Sequence, residues 1–209
     1  MKVVVFGAHS SVGGFLVEKL QAKGHHSCAV VGKENQQVAL RDRGASETAV
    51  YGQSSLDSIF KGYEAVIFLT GINPKAQTGK TVLVDHESVM ETVKEAERQG
   101  VRRFVLMSAI KADEAVGDES REIGAKEMPD EFLRHERLNY TVVQPGALND
   151  QPGDGKITAA ETIGAKGLEI SREDLAEVLA EVLNTENTFN KTFEVASGDR
   201  PIQEALASL

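Results

Sequence analysis

Cysteine is nearly absent from this chain: Cys28 stands alone among 209 residues. No internal disulfide can form, so the fold rests on its own core, and a reducing compartment, the cytoplasm, is the expectation. Cys28 sits in Ser-Cys-Ala-Val-Val, a pattern that reads as a buried strand and gives the thiol a packing role. Long apolar runs are also missing. The longest, Ala65–Leu69, is far short of the roughly 20 residues needed to cross a bilayer. No basic leader with a small-residue cleavage site opens the chain, because Met1-Lys2 runs straight into Val3-Val4-Val5-Phe6. Positive charge is scarce: 23 lysines and arginines face 32 acids, for a formal net charge of −9. Such a surface repels phosphate backbones and anionic lipids, so neither nucleic acid nor membrane is expected as a partner. The histidines (His9, His25, His26, His86, His135) show no metal-ligand spacing with each other or with Cys28, so no metal is expected. The His25-His26 pair reads as solvated turn residues. No Gly-x-Ser-x-Gly elbow supports hydrolase chemistry.

What is present is the composition of a folded globular chain, 41% hydrophobic and 26% charged. Its length fits one domain over 1–209, with 146–209 supplying a small substrate lobe. Short apolar runs alternate with helical patterns. Strands are expected at Lys2–Phe6, Ser27–Val31, Glu47–Tyr51, Ala65–Leu69, Arg103–Met107, Tyr140–Val143 and Thr192–Val195. Between them, Val12, Phe15, Leu16 and Leu20 recur at helical spacing, as do Val89, Met90, Val93 and Ala96. Shorter helices are expected at Gln36–Arg43, Leu56–Phe60 and Phe132–Leu138, and after Pro201. Ser171-Arg-Glu-Asp174 caps a helix carrying Leu175, Val178, Leu179 and Val182. Continuous apolar strands alternating with helices predict an α/β fold: a single doubly wound parallel sheet of Rossmann type, with about six or seven strands.

The first strand ends in Gly7-Ala-His-Ser-Ser-Val-Gly13-Gly14 and a helix follows at once. Glycine permits a tight turn and a close approach of helix to sheet, while free N–H groups at the helix start face a pyrophosphate. In this strand–turn–helix context the pattern points to a dinucleotide. Pro74-Lys-Ala-Gln-Thr-Gly-Lys80-Thr81 nearly spells a nucleotide-triphosphate loop, but Pro74 lacks an N–H where the loop needs a glycine.

Later landmarks extend the pattern: Phe68-Leu-Thr-Gly71, Lys80-Thr-Val-Leu-Val-Asp85, Gly100 to Ala109, Tyr140-Thr-Val-Val-Gln-Pro-Gly146 and Ile170 to Ala176. In order and spacing they resemble the atypical short-chain dehydrogenase/reductase superfamily, and within it the small bacterial NAD(P)H-binding, NmrA-like group often labelled sugar epimerase. The resemblance implies that Gly7 and the backbone from His9 through Ser10, Ser11 and Val12 to Gly13 hold the pyrophosphate. It implies that Thr70 and Gly71 line the adenosine and ribose, and that Pro145 and Gly146 lie near the nicotinamide. Ser10 replaces the family's middle glycine.

The second strand ends Val30-Val31-Gly32-Lys33, without the acid that binds the ribose diol of NAD. Gly32, where relatives often carry arginine, and Lys33 therefore mark the place of a 2′-phosphate, and NADP(H) is expected over NAD(H). Active relatives use a serine after the fifth strand with a Tyr-x-x-x-Lys; here Ser108 and Lys126 take the serine and lysine places and Glu122 the tyrosine's. Pro129 breaks the helix on which relatives carry the lysine, and 111–128 reads as a flap. The expectation is an oxidoreductase of low specificity with a small-molecule acceptor (flavin, quinone or small carbonyl), a monomer or homodimer. The alternative is a cofactor-binding sensor without turnover.

Overall fold

Strand positions follow from the unbroken apolar stretches. The computed structural model of the chain describes residues 1–69, 80–108, 133 and 137–209, with backbone alone for 80–87. Strands β1 (Lys2–Phe6), β2 (His26–Val31), β3 (Glu47–Val50), β4 (Ala65–Leu69), β5 (Arg103–Met107) and β6 (Asn139–Pro145) form as the pattern predicts. Three of their helical connections are α1 (Ser11–Ala22), α2 (Gln37–Asp42) and α3 (Leu56–Phe60). A longer helix, α4 (Lys80–Arg98), follows β4. Beyond β6 come β7 (Ala147–Asn149), β8 (Lys156–Ala160), β9 (Glu169–Ser171), α5 (Arg172–Glu181), β10 (Lys191–Ser197), β11 (Arg200–Pro201) and α6 (Ile202–Ala207).

The described strands of the main sheet run in the order β11-β8-β10-β6-β5-β4-β1-β2-β3. From β3 to β10 every pair is parallel. The order reverses between β1 and β4, and ligands bind outside the strand C-termini at such a switch point. One correction concerns the edge: β8 runs antiparallel to both β10 and β11, so the sheet is mixed there. A second, two-stranded sheet pairs β7 with β9. Neither feature was expected. Within β8 only Ile157 is buried, and its strand conformation comes from long-range pairing with Val195 and Ala196.

Each face of the sheet has its own core. On one, Val3, Val5, Ala29, Ile67, Val105 and Phe193 meet Leu16 and Leu20 of α1 and Leu175 and Leu179 of α5. On the other, Val4, Phe6, Val66, Phe104 and Val142 meet Phe60, Val89, Val93 and Leu133. Each such buried side chain contributes about 1.5–3 kcal/mol relative to exposure. Helices α1 and α5 pack side by side and are laced by Lys19–Glu173 (3.1 Å) and Lys23–Glu177 (2.7 Å).

Caps and stops behave as their chemistry dictates. Ser171 Oγ accepts the Asp174 N–H at 3.0 Å, which completes the expected cap of α5. Gly24, Gly44 and Gly100 take positive φ where α1, α2 and α4 stop. Pro201 is the N-cap of α6, one place ahead of its first turn. His25 and His26 are not a solvated turn pair: His25 is buried against the N-terminal amine (Nδ1 at 3.2 Å), and His26 begins β2 and meets Glu47 at 2.9 Å. The helix expected at Phe132–Leu138 and the nucleotide-like loop at 74–81 lie largely outside the described residues. No helix among the described residues is long and apolar enough to cross a membrane.

Candidate functional site

The turn between β1 and α1 stands at the C-terminal edge of the sheet, beside the switch point. Gly7 takes φ +73°, and a Cβ there would lie 2.6 Å from the Leu69 carbonyl oxygen of β4. Gly13 is needed for a different reason. Its Cβ would stand 2.5 Å from the Ala8 carbonyl oxygen and 2.6 Å from Ala8 Cα, so only glycine lets the helix press onto the turn. The chain closes on itself through Ser10 N–H to the Gly7 carbonyl at 3.0 Å.

Ser10 is the N-cap of α1. Its hydroxyl oxygen accepts the Gly13 N–H at 3.0 Å, and its carbonyl accepts the Gly14 N–H at 3.0 Å. The serine in place of the middle glycine therefore has φ −69° and needs no left-handed backbone. Among the described residues, the Ser11 and Val12 amides of the first turn donate to nothing in the protein. A helix N-terminus with open donors and a glycine-lined approach fits a pyrophosphate.

A cleft of roughly 360 Å³ opens between this turn and α2, with His9, Ser10, Ser11, Gln36 and Arg43 among its walls. Gly32 and Lys33 are exposed at the β2 tip, and Lys33 N–H donates to Gln36 Oε1 at 3.0 Å, which ties the tip to the start of the following turn. A Cβ on Gly32 would meet only Gln36 Oε1 at 3.9 Å, so the relatives' arginine would fit there. Sequence reasoning passed over Arg43 and Gln36. The signal available for Arg43 was Gly14, a second glycine that the turn itself does not require.

Farther along the same edge, Ser108 follows β5 and its N–H donates to the Val143 carbonyl at 2.9 Å. Pro145 closes β6. Gly146 N–H donates to Val195 O at 2.9 Å, and a Cβ on Gly146 would stand 2.5 Å from Leu168 O. The turn, Ser108 and the Pro145-Gly146 step are thus gathered on one edge. Thr70, Gly71, Glu122 and Lys126 lie outside the described residues, as does all of 111–128.

No tyrosine stands beside Ser108 at the ends of β5 and β6. Tyr51 follows β3, its ring edge-on to Phe6 at 6.2 Å. Tyr140 lies near the start of β6. Tyr63 is placed near Cys28 and Glu47 at the opposite end of the sheet, where burial pushes its phenol well above the ordinary range. Burial likewise pushes the Cys28 thiol up to about 11.

The sequence profile described as NAD(P)H-binding matches residues 7–186, a span that contains the turn, the cleft and the Pro145-Gly146 step. The chain belongs to this NAD(P)H-binding family. Among its relatives is a Bacillus subtilis (strain 168) protein named uncharacterized sugar epimerase YhfK, 34% identical over the full length of both chains. A solved Bacillus halodurans chain, named for the NAD-dependent epimerase/dehydratases, is 34% identical, with a TM-score of 0.89 and full coverage of both. The oxidoreductase ylbE of Lactococcus lactis shares the fold at 23% identity and a TM-score of 0.75, over all of this chain and 96% of the other. The sheet order and the turn described above are the framework of an NAD(P)H-binding Rossmann protein.

Proposed function

We propose that this chain is an NADPH-preferring oxidoreductase that passes reducing equivalents to a small-molecule acceptor such as a flavin, a quinone or a small carbonyl compound. The observation that carries the reading is the turn itself, where Gly7 and Gly13 stand where a Cβ would strike backbone and the Ser11 and Val12 amides are open. When bound, the reduced nicotinamide supplies a hydride. The protein's part is to hold and orient. Amides of the His9–Val12 stretch would donate to the pyrophosphate, Thr70 and Gly71 are assigned to the adenosine and ribose, and Pro145 and Gly146 to the nicotinamide side.

Proton supply separates the acceptor classes. With no tyrosine beside it, Ser108 offers a hydroxyl that can orient a carbonyl oxygen but is too weak an acid to protonate an alkoxide by itself. Flavins and quinones need no strong protein acid, because their reduced anions are far weaker bases than an alkoxide and can take a proton from solvent. Lys126 takes the family's lysine place in this reading, where it would help to hold the ribose.

The same missing tyrosine favours a second reading, an NADP(H)-binding sensor without turnover. Steady-state oxidation of NADPH against a panel of flavins, quinones and small carbonyls separates the two. Turnover that falls at least tenfold in Ser108→Ala or Lys126→Ala supports the enzyme. Micromolar NADPH binding with no acceptor reduced across the panel supports the sensor. Failure to bind either nicotinamide cofactor defeats both.

A further inference from the structure

Gly14 has a purpose that the dinucleotide turn does not explain. It lies within α1 at ordinary helical φ. A Cβ there would touch no backbone but would stand 3.0 Å from Arg43 Nη1, 3.2 Å from its Cζ and 3.3 Å from its Cδ. The missing side chain is the space in which the Arg43 side chain lies. Arg43 closes α2 as its C-cap and is far from the turn in sequence, yet it lies across the outer face of α1. Its Cζ is 5.9 Å from the Phe15 ring centre and its Nη1 is 2.9 Å from Glu18 Oε1. Gly14, Phe15 and Glu18 share one helical face with Ser11, which lines the cleft.

Arg43 is the cationic wall of the cleft that His9, Ser10, Ser11 and Gln36 also line. Its guanidinium is planar and carries five donors, and Glu18 engages one of its nitrogens. That ion pair is half exposed on both sides, a kind of pair that contributes little and yields easily to a stronger anion. A phosphate monoester offers such an anion, and a guanidinium fork matches it with two parallel hydrogen bonds where a lysine is only a point charge. The family's other expected position, Gly32, has no side chain to contribute, and Lys33 is exposed at the β2 tip.

We infer that Arg43 reads the 2′-phosphate of NADP(H), that Gly14 is glycine to admit it, and that Glu18 occupies the guanidinium until phosphate takes its place. This inference rests on the NADPH preference proposed above and supplies its physical basis.

Calorimetric titrations with adenosine 2′,5′-bisphosphate and AMP, probes that differ only in the 2′-phosphate, test it, with NADP and NAD alongside. In Arg43→Ala the affinity for the bisphosphate and NADP should fall about tenfold to a hundredfold, while AMP and NAD stay within about twofold. Gly14→Leu, which leaves the arginine in place but fills its space, should show the same selective loss. Glu18→Gln should tighten the bisphosphate about threefold by removing the competitor. If the wild-type protein prefers NADP and Arg43→Ala does not change the preference, or weakens all four probes alike, the inference is overturned while the cofactor reading stands. The same holds if Glu18→Gln fails to tighten binding. If the wild-type protein does not distinguish the bisphosphate from AMP, the NADPH preference falls and the inference with it. Arg43→Lys, with a melting curve for each variant, separates folding loss from lost recognition: the lysine variant should keep part of the preference.

Discussion

The guanidinium of Arg103 lies 4.3 Å from the ring centre of Phe189, buried between β5 and the segment that leads into β10. Its donors go to neutral oxygens: Asn139 O at 2.8 Å, Thr141 Oγ1 at 2.6 Å and Val182 O at 2.7 Å. Burial pulls this guanidinium below the usual arginine range. The arginine joins β5, β6 and the C-terminus of α5 through one side chain, taking up a helix-end carbonyl that would otherwise be unpaired. Arg103→Ala leaves these oxygens buried without donors and opens a void, and should cost about 2–4 kcal/mol in urea unfolding. Arg103→Met, which fills the volume without the donors, should cost less. Equal costs would show that the hydrogen bonds, not packing on Phe189, are what matters.

Gly13→Ala tests the phosphate turn without adding or removing a polar group. The new Cβ would stand 2.5 Å from the Ala8 carbonyl oxygen, a backbone atom that cannot rotate away. A destabilisation of about 1–3 kcal/mol is expected, with a loss of NADPH affinity of at least about tenfold as the turn opens. Calorimetry at a temperature where circular dichroism shows the variant folded reads the second effect apart from the first. Full affinity in a folded Gly13→Ala variant would place the cofactor's phosphates elsewhere.

Cys28 should be silent toward thiol reagents in the folded protein. It is buried in β2, and burial lifts its pKa to about 11, so almost no thiolate exists near pH 8. Ellman's reagent should titrate one thiol after denaturation and none within minutes before it. Rapid native labelling would mean that β2 opens locally, and hydrogen exchange would then locate the opening.

His25 should make stability depend on pH above the range where carboxylates titrate. Burial lowers its pKa, the charged N-terminus and Lys23 lower it further, and Glu181 works the other way. A base with a lowered folded pKa is protonated first in the unfolded chain. Its contribution is therefore complete above the unfolded value of about 6.5 and is lost as pH falls through the lower folded value. Between pH 7 and 5 the unfolding midpoint should drop, and His25→Gln should flatten that slope. Glu181 and Glu173, held below the usual carboxylate range by Lys23 and by the Gly153 amide among other contacts, act at lower pH.

What could be seen in advance depends on where the information lies. Ala65–Leu69 and Arg103–Met107 are buried throughout, so their apolar runs mark the strands to the residue. Ser171 and Asp174 announce α5 because a cap is local chemistry. Lys156–Ala160 carries no such mark, since its strand is imposed by partners in β10. The site divides the same way. The Gly7–Gly13 turn is contiguous and legible. Arg43 meets α1 only through the fold, and the one local trace of that contact is Gly14. Likewise His25 looks like a turn residue until the chain start is placed beside it.

The lacing of α1 to α5 has a consequence for synthesis. Lys19 and its partner Glu173 are 154 positions apart, so the ribosome delivers the helix that presents the phosphate turn long before the helix that seats it. Until α5 emerges, Leu16 and Leu20 lack the cover of Leu175 and Leu179. The Gly7–Gly13 turn and its helix are thus made well before α5 fastens them, and chains that stall before Arg172 leave a greasy helix face for chaperones or proteases to find.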